Sequence, residues 1–118
     1  MAQLCKPENT RSPVERIRTL NDALRQTRTG GRVVLTRGVI TLGPEQASAI
    51  VNAVAAYSDF GPDNDPYGEH DFGALDVAGQ RVFWKIDYYD PSLTGHSDDL
   101  ADAARTVRVL TIMLAEDY

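Results

Sequence analysis

The stretch QRVFWKIDYY, residues 80–89, alternates side chains at the two-residue period of a β-strand. Val82, Trp84, Ile86 and Tyr88 fall on one face, and Arg81, Phe83, Lys85, Asp87 and Tyr89 on the other. A strand with Trp84 and Ile86 on one side must pack that side against another layer, so the chain needs a sheet and something to cover it. Residues 71–77 read as a second strand, joined to the first through Ala78-Gly79 in a β-hairpin. A two-residue turn sets Asp76 opposite Arg81, Ala74 opposite Phe83, Phe72 opposite Lys85 and His70 opposite Asp87. A G1-bulge turn would instead pair Asp71 with Lys85. Both registers bring Glu69, His70 and Asp71 beside Lys85 and Asp87 at the open end.

The rest of the chain supplies the cover. Ser12 reads as an N-cap, with Pro13 at the first helical position and Glu15 closing a capping box. Val14, Ile17, Leu20 and Leu24 recur at helical spacing as far as about Arg28, where Gly30-Gly31 stops the helix. RVVLTR, residues 32–37, is a short β-branched run between glycines and reads as a buried strand. Gly43-Pro44-Glu45 opens a second helix running to about Tyr57, with Ala47, Ile50, Val51, Val54 and Ala55 on its packing face. Residues 58–69 are rich in Gly, Pro, Asp and Asn, the chemistry of an ordered loop. The last segment, residues 102–116 (DAARTVRVLTIMLAE), has the Val, Thr and Ile of a strand, but its length points to a helix. On that wheel Ala103, Val107, Leu110 and Leu114 share a face, and Arg105, Arg108 and Glu116 form a narrow polar stripe. The expected fold is α+β in the order α-β-α-β-β-α, a small three-stranded, mainly antiparallel sheet packed by helices. Residues 1–11 are expected to be a disordered N-terminal tail before a single domain, 12–118.

Composition narrows the function class. The 118 residues are 42% hydrophobic and 25% charged, which is globular and large enough for one core. No apolar run approaches the ~18 residues of a membrane span, and the N-terminus lacks the apolar segment of a signal peptide. Cys5 is the single cysteine and reads as a free thiol, so neither a disulfide nor a Cys-type zinc site is expected. A reducing cytoplasm fits best. Net charge is −5 and unevenly spread. Residues 1–58 carry eight bases against four acids, and residues 59–118 carry thirteen acids against Arg81, Lys85, Arg105 and Arg108. Such asymmetry points either to an electrostatic partner surface or to two halves that neutralise each other in the fold.

The open end of the hairpin is the candidate site, and its residues admit three chemistries. Asp63-Asn64-Asp65-Pro66-Tyr67-Gly68 matches positions 1, 3 and 6 of a calcium loop, but Tyr67 and Ala74 stand where further ligands belong. Neither a metal nor a cofactor is therefore assigned. Glu69, His70, Asp71, Lys85 and Asp87 could instead form an acid–base or metal-assisted hydrolytic centre. Against an enzyme, the chain has no GxSxG, HExxH, P-loop or GxGxxG motif. The third reading is a binding surface of Asn64, Asp65, Tyr67, Phe83, Lys85, Asp87, Tyr88 and Tyr89, whose aromatics are rigid anchors of the kind found in protein interfaces. His96 lies in a polar loop and reads as exposed. The arginines of the first helix, Arg16, Arg18, Arg25 and Arg28, add a nucleic-acid-binding alternative, though such a face is usually just solvated.

NDPYGEHDFG, WKIDYYD and RVLTIMLAEDY, with GRVVLTRGVITLGPE upstream, closely resemble a bacterial domain-of-unknown-function family numbered 3768. The resemblance covers roughly residue 15 to Tyr118. It implies that Asn64, Asp65, Glu69, His70, Asp71, Trp84, Lys85, Asp87 and Tyr88 occupy the family's signature positions. It also implies a small accessory product of plasmids and integrative elements, encoded beside antirestriction-type genes, and it brings no activity, substrate or catalytic residue. One departure is SDDLADAA, where the family pattern is the proline-containing SPDPADPA, which would let the last helix begin near Asp98. The reading that results is a non-enzymatic cytoplasmic protein-binding module acting through the acidic, aromatic hairpin face. A small hydrolase and a nucleic-acid binder are the alternatives.

Overall fold

The computed structural model describes residues 12–118, so the expected tail and Cys5 lie outside the described residues. Helix α1 spans Pro13–Thr27. It begins as its sequence dictates: the Ser12 hydroxyl accepts the Glu15 N–H, and the Glu15 carboxylate accepts the Ser12 N–H, each at 3.1 Å. Arg28 ends it in the left-handed region at φ 59°. Strand β1 (Arg32–Leu35) follows, then a single-turn helix α2 (Arg37–Ile40) and helix α3 (Pro44–Ala55). The hairpin consists of β2 (Phe72–Val77) and β3 (Gln80–Tyr89), and the chain closes with β4 (Val107–Leu114) and a 3₁₀ turn over Ala115–Asp117.

The hairpin is the unbulged one, with Asp76 opposite Arg81, Ala74 opposite Phe83 and Phe72 opposite Lys85. Ala78 (φ 52°) and Gly79 (φ 79°) both take positive φ, as a type I′ turn requires. The ladder stops at Phe72, however. His70 (φ 57°) turns the chain away, so the pairing does not continue to His70 and Asp87.

The sheet corrects the three-stranded expectation. It has four strands in the order β1-β4-β3-β2, with β1 parallel to β4 and the other pairs antiparallel. The segment expected to be the last helix is the central strand β4. Its apparent length came from including residues 102–106, which belong to the turns before it, and part of the 3₁₀ turn, leaving eight strand residues. The turns are fixed by side chains: the Asp99 carboxylate accepts the Ala101 N–H at 3.1 Å, and that of Asp102 accepts the Ala104 N–H at 2.9 Å. The expected early start near Asp98 is therefore also replaced by turns. β1, read as buried, is an edge strand with only Val33 and Leu35 packed inward. The added strand and the short α2 change the expected order to α-β-α-α-β-β-β.

All three helices contribute to one core. Ile17 and Leu24 of α1, Val39 of α2 and Ile50 and Val54 of α3 pack with Val82, Trp84 and Ile86 of β3 and with Leu110, Ile112 and Leu114 of β4. The helices thus cover one face of the sheet. The opposite face carries Phe72, Phe83, Lys85, Asp87, Val109 and Thr111, placed side by side by the ladder. Among the described residues no helix is long and apolar enough to cross a membrane.

Trp84 has no exposed surface and lies across Gly73, its direct partner on β2. A Cβ at Gly73 would meet the indole Nε1 and sit 2.7 Å from Cε2. Gly73→Ala is expected to destabilise the fold by roughly 1–3 kcal/mol through overpacking, read from the urea midpoint at unchanged m-value. An unchanged midpoint would mean that Trp84 can leave this position freely.

Candidate functional site

The loop between α3 and β2 is built from its own polar side chains. Asn64 Oδ1 accepts the Gly61 N–H at 2.7 Å, and its Nδ2 donates to the Asp59 carbonyl at 2.6 Å and to the Tyr57 hydroxyl at 3.2 Å. This is the Asx chemistry for which turns select Asn. Asp65, whose side chain is 7% exposed, accepts the His70 N–H at 3.1 Å. The His70 ring lies flat on Phe60, centroids 3.7 Å apart. Its Nδ1 is 2.8 Å from Asp22 Oδ1 and its Nε2 is 3.6 Å from Asp65 Oδ2. Asp22 also accepts from Arg25 at 2.9 Å, and the Arg25 guanidinium packs over Phe60 and Trp84. Arg18 donates to the Gly68 carbonyl at 2.7 Å. Helix α1 thereby clamps the loop at three points.

A second polar hub lies beneath. Asn21 has no exposed surface, and its Nδ2 donates to the Glu69 carbonyl at 3.0 Å and to the Tyr88 hydroxyl at 2.8 Å. Asn21 Oδ1 accepts from Arg108 Nε at 2.9 Å. Arg108 is 1% exposed, donates also to the Leu100 carbonyl, and lies 5.5 Å from the centre of the Tyr88 ring. Burial lowers the Arg108 pKa from its ordinary value, while Tyr88 and Glu69 oppose that shift. Burial likewise pushes the Tyr88 phenol up. The Glu69 and Asp71 carboxyls are both raised, first by burial and then by neighbouring carboxylates, Asp65 among them.

The residues singled out in the sequence therefore separate into groups. Asn64, Asp65 and His70 hold the loop. Glu69 offers its carbonyl to Asn21, and Asp71 faces the Tyr88 hydroxyl at 3.5 Å. Lys85 and Asp87 pair with each other at 3.0 Å on the helix-free face, with side chains 40% and 37% exposed. That contact holds the Lys85 ammonium above its ordinary pKa. Phe83 lies on the same face between Phe72 and Tyr118, and Tyr89 lies at its end. Tyr67 projects from the loop into solvent. A shallow cleft of about 450 Å³ is lined by Asp71, Asp87, Tyr88, Tyr89 and the turn from Leu93 to His96. Of the five candidate acid–base residues only Asp71 and Asp87 reach it. Among the described residues no group of three His, Cys, Asp or Glu side chains could hold a metal ion.

Sequence reasoning missed Asn21 and Asp22, and it placed Arg25 on a basic helix face and Arg108 on a polar helix stripe, whereas both are buried. Signals existed for two of these: Asn21 falls between Ile17 and Leu24 in the inward helical stripe, and strand alternation turns Arg108 inward with Leu110.

A family model described as "Protein of unknown function (DUF3768)" matches residues 35–117. The chain belongs to the DUF3768 family. No curated protein and no solved structure matches it. The matched span of this DUF3768 protein begins after α1, so the helix that supplies Arg18, Asn21, Asp22 and Arg25 to the loop lies upstream of it.

The raised Asp71 carboxyl gives a test with a definite sign. A carboxyl whose folded pKa exceeds its unfolded value binds protons more tightly when folded, so its charge opposes folding above that folded pKa. The penalty fades as pH falls towards the unfolded value. Asp71→Asn is expected to raise the denaturation midpoint at pH 7, with the gain shrinking as pH falls into the ordinary carboxylate range. A gain independent of pH would contradict the assignment.

Proposed function

We propose that this DUF3768 protein is a non-enzymatic, cytoplasmic protein-binding module that acts through the helix-free face of its sheet. One observation carries the reading: the helices cover one face only, and the other presents aromatic and aliphatic side chains around the Lys85–Asp87 pair. Val34 and Tyr89 on this face are 45% and 37% exposed, and Tyr118 beside Phe83 is 79% exposed. Aromatic side chains that remain solvated in the free protein and surround a small polar centre are the composition of interface hot spots. The accessory role, on a plasmid or integrative element, follows from the family resemblance.

A hydrolase built on Glu69, His70, Asp71, Lys85 and Asp87 is less well supported. His70 directs both ring nitrogens at Asp22 and Asp65, and Lys85 pairs with Asp87, so the five do not share a reaction centre. Nucleic-acid binding through α1 is weaker too, because Arg25 is buried against Asp22 and Arg18 is bonded to the loop.

The test is capture from lysate of cells that carry the gene. Wild type is compared with a Lys85→Ala/Asp87→Ala variant whose circular dichroism and melting are unchanged. Partners held by wild type and lost by the variant are expected; an identical partner list for both would sink the reading.

A further inference from the structure

We infer that the helix-free face pairs with the same face of a second copy about a two-fold axis passing between Lys85 and Asp87. The inference rests on the reading of this face as a binding surface and names its occupant.

Charge complementarity is the first argument. Lys85 and Asp87 stand two residues apart on the same side of β3, 3.0 Å from each other, so they form a plus–minus doublet. In a two-fold interface, if residue i meets residue j then j meets i. A two-fold axis through the doublet sets each Lys85 over the other copy's Asp87, and the pattern is its own complement. Their uncharged neighbours are also placed for this: the ladder sets Phe72 and Thr111 beside Lys85, and Val109 beside Asp87. Among the described residues a second ion pair across this face, Arg81–Asp76 at 3.3 Å, is likewise neutral, and exposed Arg32 on edge strand β1 adds a positive charge, on a chain of net charge −5. Two copies can therefore approach through this face without the repulsion that the rest of the surface would impose.

Area then sets the strength. Four strands ~4.8 Å apart, with about seven residues each at ~3.3 Å, present roughly 400–500 Å² of projected face per copy. Two such faces reach only the lower end of specific interfaces, about 1,000 Å² in total, so the dimer should be weak and concentration-dependent. The Lys85–Asp87 contacts contribute mainly register, since like charges placed opposite each other penalise every other alignment.

The test is sedimentation equilibrium of the full chain across concentration, with charge swaps. Wild type is expected to rise from 13.0 kDa towards twice that mass. Lys85→Asp alone and Asp87→Lys alone should each weaken self-association at least tenfold. An equimolar mixture of the two single variants should restore association by forming mixed dimers, and the double variant Lys85→Asp/Asp87→Lys should dimerise like wild type. Should a swapped chain fail to fold, wild type supplies a second readout: concentration-dependent amide shifts at Phe83, Lys85, Asp87 and Thr111.

Wild type that stays monomeric at several hundred micromolar would overturn the pairing. So would a dimer that neither single swap weakens, or one whose shifts fall elsewhere. A monomer that still loses a foreign partner on Lys85→Ala/Asp87→Ala would overturn the self-pairing alone, leaving the binding face intact. A monomer with an identical partner list would remove both.

Discussion

The hydrogen bond from Arg108 to Asn21 joins the central strand to the first helix, and the open end of the molecule is arranged around it. A guanidinium buried in the core needs acceptors for its donors, because an unpaired buried charge is strongly destabilising. Asn21 supplies one and the Leu100 carbonyl another, while the Tyr88 ring covers the cation. Having accepted from Arg108, the Asn21 amide directs its two N–H donors at Tyr88 and at the Glu69 carbonyl. One side chain thus links α1, β3, β4 and the loop before β2. The second clamp, from Asp22 to His70, is one helical position away, with Arg25 bonded to Asp22, and holds the same loop.

This arrangement explains why an acidic, histidine-containing cluster need not be a reaction centre. The polar groups nearest the hairpin's open end close the loop over the core, and the face they leave to the outside carries the Lys85–Asp87 pair, with Phe72, Thr111 and Val109 beside it and the Arg81–Asp76 pair nearer the turn. On the proposed reading, structure and recognition are divided between the two sides of one sheet. The inward side contains the buried polar hub, and the outward side keeps aromatic surface exposed to water.

Features set by neighbours in sequence were legible. The Ser12–Glu15 capping box, the Ala78-Gly79 turn and the alternation around Trp84 depend on residues a few positions apart, and each formed as its local chemistry dictates. β4 was not, because its conformation is decided by β1 and β3, which pair with it from far along the chain. A wheel drawn through Val107, Leu110 and Leu114 and an alternation through Arg108, Leu110 and Ile112 fit the same letters; tertiary pairing chose the second. The loop residues Asn64, Asp65 and His70 were found as a cluster, but the role of His70 depends on Asp22, contributed by a helix more than 40 residues upstream. Asn21 and Arg108 lay in inward positions that an apolar pattern search passes over.

Amide hydrogen exchange on Asn21→Ala, compared with wild type, tests most directly whether the hub governs the loop. We expect residues 58–71 and 98–106 to lose protection together, since both are tied to the helix through Asn21 and Arg108, while the β2–β3 ladder near the Ala78-Gly79 turn retains its protection. Unchanged exchange in both segments, or loss confined to one of them, would contradict it.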